Sequence, residues 1–355
     1  MSSWNRALNR RCARSALAVS VLAVFAGCSD RATAPTAAPA SAARAAIGAR
    51  APEVRDLGAP GAGLAVAANG RIVGATTATG SDHATVWYKD AMTDLGILAG
   101  GRFSRAYDVN ERGQIVGDAD EGTLPDTTVA VLWEGGTPSI LPSLGGSFSV
   151  ARGINARGVI VGSSARASDN LSQPVRWSGG VVTVLPVLSE LGSQANDVND
   201  AGTIVGASRL PSGISHAVLW EGARLVDLGT LGGAQSEANA INEQGQVVGE
   251  SQTSGGDFHA FVWYRGTMTD LGTLGGANSF AYGINARGQV VGSSQTASGE
   301  SHAFVWTNGV MTDLGTLGGT LSVAYAINAS GVIVGTAQLA DASANPDHAA
   351  VWFLK

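Results

Sequence analysis

From Ser279 to Gly319, apolar and polar positions alternate in short runs separated by turn residues. Ser279-Phe-Ala-Tyr-Gly-Ile284 reads as a first strand. Asn285-Ala-Arg-Gly288 reads as a tight turn, with an asparagine suited to bond its own backbone and a glycine suited to positive φ. Gln289-Val-Val-Gly-Ser-Ser294 is a second strand, and His302-Ala-Phe-Val-Trp306, with period two, is a third. Asn308-Gly309 is a strong hairpin signal, and Val310-Met-Thr-Asp-Leu-Gly315 follows as the fourth strand.

This unit recurs. Gly-x-(Ile/Val)-Val-Gly is written seven times, and its leading glycines (70, 113, 158, 202, 245, 288, 331) fall 43 to 45 residues apart. Seven tryptophans (87, 133, 177, 220, 263, 306, 352) share one phase of the repeat, and all five histidines lie four residues before one of them. A period of this length with four antiparallel strands per copy predicts a β-propeller, whose blades cannot bury their faces alone. The last copy stops after a third strand, His348–Trp352, whereas an orphan fourth strand, Val54–Gly58, precedes the first copy. Pairing the two completes the last blade, so the expected fold is all-β: a seven-bladed propeller over residues 51–355, closed by its N-terminal strand.

His259-Ala-Phe261 and His302-Ala-Phe304, followed by Met-Thr-Asp-Leu-Gly-Thr-Leu-Gly-Gly at 268–276 and 311–319, resemble the HAF repeats of a family of extracellular bacterial proteins. The resemblance implies a secreted, β-propeller-like repeat protein and brings no catalytic residues with it. Repeats two and three depart most at the triplet, with Val129-Ala-Val131 and Gln173-Pro-Val175, and are expected to be the irregular ones.

The amino terminus adds an address. Arg6, Arg10, Arg11 and Arg14 precede an apolar stretch from Ser15 to Gly27, too short for a spanning helix, which needs about 20 residues. Phe25-Ala26-Gly27-Cys28 resembles a lipobox, so residues 1–27 are expected to be a lipoprotein signal peptide removed on export, with Cys28 the lipidated residue and its anchor to the membrane. Residues 28–50, rich in Ala, Pro, Thr and Ser, read as a tether. Removing the head discards Cys12 and leaves 18 basic against 28 acidic residues. A single remaining cysteine allows no intramolecular disulfide, and an acidic body without a basic run excludes nucleic acid as a partner. The expected place is the cell envelope, periplasmic or cell-surface side, as a monomer.

In four copies an aspartate follows the histidine by eleven residues: His83 and Asp94, His216 and Asp227, His259 and Asp270, His302 and Asp313. Repeats two and three lack both members together, and His348 finds Asp56 of the closing strand at the matching phase. Joint loss and retention predicts a hydrogen-bonded pair. In a two-residue hairpin Phe304 would face Asp313 and His302 would face Gly315, leaving His302 and Asp313 diagonal on one sheet face, roughly 7 to 8 Å apart at the backbone. Histidines on third strands stand about two strand spacings of 4.8 Å from the centre and cannot converge on one ion, so no metal or other cofactor is expected. Asp-x-Asn-x-x-Gly at 108–113 and 197–202 lacks the later glutamate of a calcium loop and reads as a plain turn.

Function in a repeat ring belongs where copies differ. The innermost strands carry a variable series, Leu64, Tyr107, Arg152, Asn196, Asn239, Tyr282 and Tyr325, and the loops between second and third strands carry another. The candidate ligand site is the channel mouth, with Tyr107, Arg152, Asn196, Asn239 and Tyr282. With no serine triad, paired carboxylates or phosphate loop standing out, the expected function is a non-catalytic binding or scaffold module for a protein or glycan. The alternatives are an extracellular hydrolase or lyase acting at the channel mouth, and an architectural spacer.

Overall fold

The computed structural model describes residues 53–77, 80–122, 127–340 and 347–354. The expected signal peptide (1–27), Cys28 and the expected tether (28–50) fall outside them. Each repeat is a four-stranded antiparallel meander. In repeat six the strands are Gly275–Ile284, Val290–Thr296, Ser301–Thr307 and Val310–Gly315. Asn308 and Gly309 both take positive φ, 50° and 87°, as the tight hairpin between the third and fourth strands requires.

Two expectations need correction. Asp313 does face Phe304, but Gly315 faces Ala303, because the register slips by one between Ala303 and Phe304. An extra residue on the fourth strand, absent from an ideal hairpin, turns the chain towards the next repeat. Repeats two and three are not irregular: their third strands, Thr128–Glu134 and Ser172–Ser178, pair on both sides like those of the other copies.

The 14-residue strand Glu53–Val66 serves two repeats. Its first part pairs with the third strand of repeat seven, Asp347–Phe353, with Val54 opposite Trp352 and Arg55 opposite Val351. Its last part, Gly61–Val66, is the first strand of repeat one and pairs with Ile72–Thr76. The break falls between Asp56 and Pro60, where Gly58 has φ 85°.

Apolar side chains are buried between sheets rather than within them. Val248, Ala260 and Leu271 of repeat five pack with Ala281, Val290 and Phe304 of repeat six. Ile72 and Trp87 of repeat one pack in the same way against Val334, Ala349 and Val351 of repeat seven. Burying these faces supplies the main favourable free energy, about 25 cal/mol per Å² of apolar surface.

One irregularity recurs in every copy. The first strand carries a β-bulge against the second, so that one residue has no partner across the ladder: Tyr107 is skipped between Ala106 and Asp108, Arg152 between Ala151 and Gly153, and Asn239 between Ala238 and Ala240. The bulge presses a backbone carbonyl of the first strand onto the last glycine of Gly-x-(Ile/Val)-Val-Gly. A methyl on Gly249 would overlap the carbonyl oxygen of Glu237, and one on Gly292 that of Phe280. These glycines are needed for space, whereas the leading ones, such as Gly245 at φ 78°, are needed for their backbone conformation. We expect Gly249→Ala to destabilise the protein by about 3 kcal/mol, the upper range for forced overpacking, in urea titration. Gly299→Ala, where the methyl meets nothing and only φ 88° opposes it, should cost about 1 kcal/mol.

Candidate functional site

Polar staples lock one repeat to the next. His302 Nδ1 lies 2.8 Å from Asp313 Oδ2, and Asp313 Oδ1 accepts the backbone N–H of Gly315 at 2.7 Å. The Gly315 carbonyl accepts from Ser322 Oγ of repeat seven, which in turn accepts the N–H of Ala303. The same chain runs through His259, Asp270, Gly272 and Ser279, and His83–Asp94 and His216–Asp227 are bonded alike at 2.7 and 2.9 Å. His348 reaches Asp56 at 2.9 Å, across the join between the last repeat and the first strand. The imidazoles are 16 to 23% exposed and sit far out on the sheets, where each satisfies buried polar groups of its own repeat boundary.

A second staple was not legible as such. Each turn asparagine accepts local backbone N–H groups, as Asn285 does from Arg287 and Gln289, but its amide also donates to the matching carbonyl of the following repeat. Asn110 bonds Asn155 O, Asn155 bonds Asn199 O, and the series runs on to Asn328, which donates to Ala67 O of repeat one at 3.1 Å. Repeat one has Ala67 at this position, and there the N–H of Ala68 donates to Glu111 instead.

Inside these staples lies the pocket. All seven bulge residues, Leu64, Tyr107, Arg152, Asn196, Asn239, Tyr282 and Tyr325, line one cavity of about 220 Å³. A bulge turns its extra side chain out of the pleat, which is why all seven members of this series converge. The rings of Tyr282 and Tyr325 are 5.6 Å apart and tilted. Asn196 and Asn239 are partly engaged in the framework, their amides donating to Ala238 O and Ala281 O at 2.9 Å.

The next position along each strand adds two acids. Asp108 and Asp197 line the same cavity from the repeats on either side of Gly153, a position with little room for a side chain of its own. A methyl on Gly153 would meet Asp197 Oδ1 at 3.3 Å. Asp108 accepts the N–H groups of Val109 and Ile154, both at 2.8 Å, and Asp197 those of Val198 and Ile241, at 2.7 and 2.9 Å. Burial pushes the Asp108 carboxyl up to about 7, with the charge of Asp197 adding to it, and burial pushes Asp197 up to about 6. The turn motif concealed them: the signal was that aspartate replaces Gly or Ala at this position in two copies only. Close by, Arg105 is held 2.8 Å from Asp82 and 3.8 Å from Asp118. Burial raises Asp118 to about 6 even with Arg105 opposing the shift. Among the described residues no group of three or more His, Cys, Asp or Glu is arranged to hold a metal ion.

Two measurements follow. A double-mutant cycle on His302→Ala and Asp313→Ala should return a coupling of about 1 kcal/mol in chemical denaturation. An acid whose folded pKa is raised binds its proton more tightly in the folded state, so its contribution is complete below the unfolded value and is lost as pH rises through 6 to 7. We therefore expect the melting temperature to fall between pH 5 and pH 8, and Asp108→Asn to flatten that slope.

No protein-family model matches the chain, and no curated protein is similar to it in sequence. Among solved structures, the puromycin-hydrolyzing peptidase of Mycobacterium tuberculosis superposes with a TM-score of 0.53 at 11% identity, over 83% of this chain and 53% of the peptidase. TolB of Acinetobacter baumannii gives 0.48 at 12%, over 67% of this chain and 61% of TolB. The Aleuria aurantia lectin, a six-bladed β-propeller, gives 0.34 at 12%, over 68% of this chain and 86% of the lectin. The chain thus spans less than two thirds of the peptidase and of TolB. Likeness at this identity speaks for fold alone: the chain is an all-β protein with a propeller-like fold.

Proposed function

We propose that residues 51–355 form a closed seven-bladed β-propeller, lipid-anchored through Cys28 at the cell envelope, that acts as a non-catalytic binding module for a glycan or protein at its channel mouth. Support for closure comes from three contacts between the two ends of the repeat array: Val54 opposite Trp352, Asp56 on His348, and Asn328 on Ala67 O. One observation carries the binding reading: the seven bulge residues, a series whose chemistry changes from copy to copy, meet in one cavity. A framework that needs only its own bonds for stability leaves those positions to vary with a ligand.

Asp108 and Asp197 favour a second reading, an extracellular hydrolase or lyase. Carboxyls raised to about 7 and 6 are matched to proton transfer near neutrality. Against it, each already accepts two backbone N–H bonds that hold adjacent repeats together.

The test is a glycan and envelope-protein screen with the purified protein and with Tyr107→Ala/Tyr282→Ala. We expect a retained partner whose affinity falls at least tenfold in the double variant. Turnover of a screened glycan, abolished by Asp197→Asn, would replace the binding reading with the hydrolytic one. For the anchor, the protein expressed in a lipoprotein-processing bacterium should sediment with membranes, and Cys28→Ser should move it to the soluble fraction.

A further inference from the structure

Two polar atoms at the channel mouth are shielded from solvent and have no partner. Arg152 is half-buried, and its Nε makes no hydrogen bond. The nearby Arg105 shows the contrast, since its guanidinium is met by Asp82 and Asp118. Asn196 is only 9% exposed; its amide nitrogen is engaged by Glu237 and by Ala238 O, and this leaves Oδ1 unpaired. A buried polar group left unmet costs its full desolvation penalty, which a ligand can relieve. The cavity therefore has one donor that prefers an anion and one fixed acceptor that needs a hydroxyl or N–H.

The remaining walls narrow the choice. Over Gly153, Asp108 and Asp197 present further acceptors, each with one lone pair per oxygen left after its backbone bonds. The Tyr282 and Tyr325 rings offer a face for a ring or a short apolar segment. At about 220 Å³ the space suits a single monosaccharide unit. Arginine binds a carboxylate with two parallel N–H donors, hydroxyls donate to carboxyl and amide oxygens, and a pyranose ring lies against tyrosine.

Resting on the binding reading above, we infer that the channel mouth recognises an acidic sugar, a hexuronate unit whose carboxylate pairs with Arg152 and whose hydroxyls donate to Asn196 Oδ1 and to the carboxyls flanking Gly153. A free amino acid would also offer an anion and donors. Its ammonium would meet the same carboxyls, but it brings no set of hydroxyls for the separate acceptor at Asn196.

The experiment is ligand-observed NMR and calorimetry on the purified protein, with glucuronate, galacturonate, their neutral parents glucose and galactose, and a panel of free amino acids. We expect at least one uronate to bind tenfold or more tightly than its neutral parent. Arg152→Gln should erase that preference, bringing the uronate to the affinity of its neutral parent, and Arg152→Lys should restore part of it. Equal binding of uronate and parent, or a preference that survives Arg152→Gln with an unaltered melting temperature, overturns the assignment. Binding of an amino acid and no sugar overturns it too. If no small probe binds while the screen still yields a partner lost in Tyr107→Ala/Tyr282→Ala, the acidic-sugar assignment fails and the binding reading stands. If that screen is also empty, both fall.

Discussion

The architecture rests on a backbone contact in which the bulged first strand of each repeat drives a carbonyl oxygen against the second strand where only a glycine can stand. That contact lets two strands approach closely enough to keep their ladder while one has a residue too many. The surplus residue is turned out of the sheet, and the strand gains local twist. The repeat motif is therefore two constraints in five residues. Its first glycine closes a turn at positive φ, and its last makes room for the bulge.

Around this kink the copies solve the same problem with different atoms. A sheet edge facing the next repeat leaves backbone groups that must be satisfied. Five repeats use Asp-Leu-Gly, with the aspartate oriented by histidine and bonding the glycine N–H, and in four of them the glycine carbonyl accepts a serine hydroxyl of the next copy. Repeats two and three replace it with Ile140-Leu-Pro142 and Val184-Leu-Pro186, and there the proline carbonyls accept the indole N–H of Trp177 and Trp220 in the following repeat, at 2.6 and 2.7 Å. Neither histidine nor aspartate stands at the corresponding positions of these two repeats, which carry Val129 with Ile140 and Gln173 with Val184. The proline–tryptophan bond meets part of the same need with no charge.

Much of this was legible in the sequence. Strand order, the hairpin at Asn308-Gly309 and the phase of the histidine and aspartate positions are all periodic, and periodicity survives without coordinates. Contacts between copies were harder to read. Asn285 binds its own turn, as its residue type suggests, yet its other amide group crosses to Asn328 O, and nothing in a local motif shows which carbonyl lies opposite. Asp108 and Asp197 looked like turn formers because they precede a turn asparagine. Their environment depends on Gly153, one repeat from each of them, and that adjacency exists only once the strands are placed side by side. The register slip at Ala303 was hidden because an ideal two-residue hairpin gives no reason for an extra residue.

The separation of framework and cavity has a physical cause. Staples join backbone groups, or side chains to backbone, at positions whose geometry is the same in each copy, so they tolerate little variation. A bulge residue has no ladder partner to lose. Replacing Leu64 by tyrosine, arginine or asparagine at the equivalent positions of other copies changes the cavity wall without breaking a strand pairing. Strand pairing is thus little affected by what stands at the bulge, and copies of one unit can line a cavity with unlike side chains. Exceptions are Asp108, Asp197, Asn196 and Asn239, which both line the cavity and bond the adjacent repeat. There a change of side chain would be felt in the fold, and there the fold in turn raises the pKa values of the two carboxyls.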